Sequence, residues 1–199
     1  MRAGKARVAF RAPIAYKRSG LVPCTRQMLP AAEGEKMNTC EELARLKEEV
    51  RRRTRLVLEK VTPDQLDWMP APQALTIRQM MRHMRLSEEG NLQVVRAGNW
   101  EYSVRRRSAP LVAQIGGSES WEAELTAFEQ AHQGWLTFLR SLPADGLSQV
   151  FTNPNTQQHV SAFELVLGRI EHEVHHRAQI STYLRMLGEQ WPSPYGQLL

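Results

Sequence analysis

Four runs of about twenty residues each repeat apolar side chains at steps of three and four, and this constrains the chain more than any other feature. The first spans about 39–61 on Leu43, Leu46, Val50, Val57 and Val61. The second carries Ile77, Met80, Met81, Met84, Leu92 and Val95 to about residue 97. The third has Trp121, Leu125, Phe128, His132, Trp135, Leu139 and Leu142. The fourth reaches about Leu187, where Gly188 fits a helix stop. A helix with one apolar stripe must bury it against other helices. Four such segments, without strand–helix alternation or a Gly-rich phosphate loop, predict an all-α four-helix bundle.

Local signals mark the ends. Thr39-Cys40-Glu41-Glu42, Thr76-Ile77-Arg78-Gln79 and Ser161-Ala162-Phe163-Glu164 read as capping boxes. Thr62-Pro63 opens a short further turn toward Trp68. Residues 98–117 form a long connection with Trp100, Tyr102 and Arg105-Arg106-Arg107, and 147–160 form a loop or small hairpin. Pro192 and Pro194 place the end in an extended tail.

Charge is unevenly divided. The 199 residues carry a formal net charge of +5. Residues 1–37 hold eight Lys/Arg against Glu33 and Glu35, leaving the remainder at −1. A nearly neutral body argues against nucleic acid as partner. Residues 1–37, interrupted by Pro13, Pro23 and Pro30, are expected to be a disordered basic extension, with Met37 as a candidate true start and a transit peptide as the alternative. The folded domain is expected over 38–199. No run approaches the roughly 18 to 20 apolar residues of a membrane span. Cys24 and Cys40, outside any CxxC, fit a reducing, cytoplasmic location.

The chemistry lies in the histidines. His172-Glu173-Val174-His175-His176 places His172 and His176 about 40° apart on one helix face, with Leu165, Gln179 and Tyr183. Imidazoles at i,i+4 can reach one metal ion at roughly 2.0–2.1 Å. His83, beside the apolar face of the second helix, is the candidate third ligand. Three histidines without a fourth ligand leave a coordination position open for water or substrate. His132 reads as a hydrogen-bonded core residue, His159 as a loop residue and His175 as a surface residue or one that supports the ligating pair from behind. The same string satisfies H-E-x-x-H with Glu173 as base, but no histidine follows His176 and a substrate-binding strand is not evident, so a zincin protease is disfavoured.

These residues resemble the DinB-like family, which includes YfiT-type and thiol-dependent S-transferase proteins. The resemblance rests on Leu66-Asp67-Trp68-Met69-Pro70, Thr76 through His83, His172 through Ile180, Tyr183 through Gly188 and Pro192 through Gly196. It implies an antiparallel bundle, often a homodimer, holding a divalent ion, zinc or nickel, on His83, His172 and His176. Ala178 departs from the glycine common before Gln179, a change expected to touch packing more than ligation. The expected activity is use or transfer of a low-molecular-weight thiol on an electrophilic small molecule. The alternatives are metal-dependent hydrolysis and a non-catalytic, metal-stabilised binding or stress role. No catalytic acid or base is identified.

Overall fold

The computed structural model describes residues 38–100, 120–143, 145–154 and 156–190. The expectations for 1–37, for Tyr102 and Arg105–Arg107, and for Pro192 and Pro194 lie outside the described residues. Among the described residues the long helices are α1 Thr39–Leu58, α2 Ile77–Ala97, α3 Trp121–Ser141 and α4 Ala162–Met186. A short 3-10 turn at Pro63–Gln65 follows α1. The 147–160 segment contains an antiparallel hairpin, β1 Val150–Thr152 and β2 His159–Ser161.

The caps explain the boundaries. The Thr76 and Ser161 side chains accept from Gln79 N and Glu164 N, and the Gln79 and Glu164 side chains return the bond. Helix α1 differs from expectation at both ends: it stops at Leu58 rather than about 61, and its cap lies one residue earlier. Asn38, not Thr39, is its cap, because Asn38 Oδ1 accepts from both Cys40 N and Glu41 N. Helix α4 ends in a Schellman motif: Glu189 N donates to Leu184 O and Gly188 N to Arg185 O. That geometry needs φ of +90° at Gly188, which a glycine adopts without steric cost.

Each helix packs on two others. Arg55 meets Glu129 and Arg140 meets Glu41, so α1 and α3 run antiparallel. Arg85 meets Glu124 while Arg96 reaches Gly134, so α2 and α3 run parallel. Cys40 and Leu43 share a cluster with Ala162 and Leu165, and Val57 and Leu58 share another with Ile180 and Leu184, so α1 and α4 run parallel. Leu92 and Val95 join the first cluster and Ile77 to Met84 the second, which sets α2 antiparallel to α4. Helices α2 and α3 run the same way, which is why the connection between them is long.

The two apolar clusters are separated by a polar layer. On α1 it holds Arg51 and Thr54, on α2 Arg85 and Glu88, on α3 His132, and on α4 His172, Glu173, His176 and Arg177. Lys47 and Arg51 are 0% exposed. Lys47 bonds Glu88, and Arg51 donates to both oxygens of Glu173 at 2.9 and 3.1 Å and to Phe128 O at 2.9 Å. The Arg51 guanidinium also lies 3.4 Å over the Phe128 ring. Leu46, expected on the inward stripe of α1, and Phe163 of the α4 capping box face outward. Leu46 is 45% exposed and Phe163 38%, because the inward stripe of α1 passes through Ala44, Lys47 and Arg51, and that of α4 through Leu165, Val166 and Ile170.

Candidate metal centre

Helix α2 brings His83 to α4, and α4 presents His172 and His176 one turn apart. The three rings meet through their Nε2 atoms. His172 Nε2 lies 2.9 Å from His83 Nε2 and 3.1 Å from His176 Nε2. The rings stand edge to face, with centroids 4.5 to 5.0 Å apart. Tetrahedral ligands at roughly 2.0–2.1 Å from zinc stand about 3.3 Å from one another, so a few tenths of an ångström of opening would admit an ion. The donor chemistry fits a borderline divalent cation such as zinc or nickel. Among the described residues, no carboxylate or thiol joins this donor group.

Burial and neighbouring positive charge favour the neutral form of His172 and His176, the form that can ligate. Burial, then the Arg169 guanidinium and the neighbouring rings, push His172 down to about 2. Burial pushes His176 down to about 4, against an opposing hydrogen bond to Gln179. That bond, His176 Nδ1 to Gln179 Oε1 at 2.6 Å, requires the hydrogen on Nδ1 and leaves Nε2 bare toward the other two rings. Gln179 shares the histidine face in sequence, but its role becomes visible only through this contact.

The other histidines separate as their surroundings dictate. His132 is 1% exposed and stands in the polar layer, where burial, Arg51 and Lys47 hold it down to about 3. Its Nδ1 makes no hydrogen bond, so the expected hydrogen-bonded core histidine is buried but without a bond at that atom. His159 belongs to β2, not to a loop, and its Nδ1 lies 3.0 Å from Thr152 Oγ1. His175 is exposed, with its ring 4.9 Å from that of His176.

Glu173 turns away from the trio. Burial pushes its carboxyl up, but Arg51 overrides this and holds it ionised, well below the usual carboxylate range. It is therefore the counter-ion of Arg51 and is not placed as a base beside the three histidines, which removes the zincin geometry. Sequence reading missed Arg51 and Lys47 as buried groups, although both continue the spacing of Leu43, Ala44, Val50, Thr54 and Val57. Ala178 is exposed, so the departure from glycine lies outside the buried core.

Fold and site together define a four-helix bundle carrying a three-imidazole donor set that could hold a metal ion. The chain belongs to the DinB superfamily, whose family model matches residues 47–180. Comparison with curated proteins finds no match. Three solved structures share the fold. YfiT from Bacillus subtilis, described as a probable metal-dependent hydrolase with an unusual four-helix bundle topology, is 18% identical over 80% of this chain and 93% of its own, with a TM-score of 0.63. A DinB-like protein of the same organism is 18% identical over 80% and 99%, with a TM-score of 0.59. A conserved protein from Enterococcus faecalis is 16% identical over 77% and 100%, with a TM-score of 0.61. No helix among the described residues is long and apolar enough to cross a membrane.

Proposed function

We propose that this chain is a divalent-metal-dependent enzyme that uses a low-molecular-weight thiol on an electrophilic small molecule, with His83, His172 and His176 as metal ligands. The observation that carries the metal reading is the convergence of three imidazole Nε2 atoms from two helices. A divalent ion held there would lower the pKa of a thiol or water at its open position. The chain's own residues supply the rest. Gln179 fixes the His176 tautomer, and the Arg51–Glu173 pair fixes the roll of α4 between the two ligands it bears.

Thiol chemistry is favoured over hydrolysis by how the acids among the described residues are used. Among the described residues no carboxylate joins the donor group, and Glu173 is committed to Arg51. A thiol, with an ordinary pKa near 8.5, needs far less help to ionise at neutral pH than water does. The thiol loses its proton to solvent, its sulfur bonds the electrophilic carbon, and the leaving group departs with the electron pair. The description of YfiT supports hydrolysis as the second reading. The reading also takes residues 38–199 as the working domain, in a cytoplasmic homodimer; light scattering of the purified full chain tests the dimer.

The test is elemental analysis of the purified protein, then activity screens with 2-mercaptoethanol plus 1-chloro-2,4-dinitrobenzene and with activated esters. Metal-dependent loss of the electrophile only with thiol present supports the proposal. Ester cleavage without thiol supports hydrolysis. A fully metallated protein inert in both screens overturns catalysis in favour of a binding role.

A further inference from the structure

One histidine of the α4 string stands outside the donor group and yet touches it. His175 is exposed, whereas His176 beside it is only 7% exposed. The His175 ring lies 4.9 Å from that of His176, centroid to centroid, at 74°. Among the described residues His175 forms no hydrogen bond or ion pair, and no other imidazole outside the trio makes a ring contact with it. The trio itself is closed to a hydrated ion. Its Nε2 atoms stand 2.9 and 3.1 Å apart, so a cation can enter only after shedding coordinated water. Losing that water before any ring nitrogen replaces it would set a poorly solvated charge against a half-buried site, which is costly. An exposed ligand that takes the place of one water first lowers this cost.

We infer that His175 is the entry ligand of this centre, an exposed imidazole that takes a divalent ion from water, passes it to the adjoining ring of the trio, and receives it again on release. This rests on the metal reading above. Imidazole suits the same borderline cations that the trio fits, at roughly 2.0–2.1 Å from a ring nitrogen. An ion held by His175 is therefore within a ring's reach of His176. Exposed side chains change rotamer in picoseconds to nanoseconds, so the handover needs no movement of α4. Each step exchanges one ligand for another: a water leaves as His175 binds, then His175 leaves as a nitrogen of the trio binds. Because His175 is not in the donor group, it lowers a barrier shared by both directions. It speeds binding and release by the same factor and leaves the affinity unchanged.

The test mixes the metal-free full chain with cobalt in a stopped-flow cell and follows the absorption of the bound ion. Release is then followed in excess EDTA, at concentrations where the rate no longer depends on the chelator. His175→Gln should slow binding and release alike by about tenfold, equivalent to about 1.4 kcal/mol of barrier. Its cobalt content, dissociation constant and helix content should match the wild type. His159→Gln, which removes another exposed histidine, should leave both rates unchanged. Wild-type rates in His175→Gln overturn the entry role while leaving the metal reading intact. Faster release with weaker affinity also overturns it, since His175 would then support the bound state instead of the passage. Failure of cobalt to bind at the three histidines overturns both.

Discussion

His172 Nε2 approaches His83 Nε2 to 2.9 Å across the α2–α4 interface. Two bare ring nitrogens at that separation repel, so the contact holds only with a hydrogen or a cation between them. With His176 Nε2 a further 3.1 Å from His172, a single cation would satisfy all three nitrogens together. His172→Ala or His176→Ala should therefore abolish stoichiometric metal. In the wild type, metal at a thousand times its dissociation constant contributes about 4 kcal/mol, and the variants should lose that increment of melting temperature. Exposed His175 mutated to Gln should keep full metal content. Full retention in both alanine variants, read by elemental analysis, would refute the ligand assignment.

Gln179 acts on the centre only through His176. Replacing it by Leu keeps the volume but removes the acceptor for the Nδ1 hydrogen. Metal affinity should fall roughly ten- to a hundredfold, the usual cost of a lost orienting contact. Helix content should be unchanged. A chelator-competition titration separates this from unfolding, and an unaltered affinity would show that the tautomer needs no support.

Arg51 and Glu173 form the central tie of the polar layer. Arg51→Met leaves the Glu173 carboxylate buried without its strongest partner and should cost about 3–5 kcal/mol. The double variant Arg51→Met with Glu173→Leu should cost much less than the sum of the single changes, because no stranded charge remains. Denaturant unfolding of the four proteins measures the coupling. Additive losses would mean that the two groups are stabilised independently of each other.

The grouping of His83, His172 and His176 was legible in the sequence and this layer was not, for a physical reason. The i,i+4 spacing of His172 and His176 is a property of one helix, and the capping residues at Thr76 and Ser161 fix where α2 and α4 begin. Lys47 and Arg51 look solvated on α1 alone. Their burial depends on Glu88 and Glu173, which arrive from α2 and α4, so no single-helix pattern contains the information. Leu46 shows the converse: an apolar residue on a correct helix falls outside the stripe once the charged pair is inside. Helix directions likewise emerge only from contacts such as Arg96 with Gly134.

Buried neutral histidines also make the fold acid-sensitive. His132, His172 and His176 all have folded-state values below the ordinary 6.5, at about 3, 2 and 4. The unfolded chain thus binds protons between those values and 6.5 that the folded chain refuses. Each such group contributes stability that is complete above pH 6.5 and is lost as pH falls toward its folded-state value. Every proton involved adds a slope of about 1.4 kcal/mol per pH unit once titration is full. For metal-free protein kept in chelator, unfolding free energy should be flat from pH 7 to 8 and should fall steeply between pH 6 and 4. The His132→Gln variant should retain metal binding, since His132 lies outside the donor group, but should show a slope shallower by one proton. Urea unfolding at a series of pH values reads both quantities. A variant slope equal to that of the wild type would mean that His132 accepts its proton inside the fold, beside Arg51 and Lys47, and that the polar layer tolerates a further positive charge.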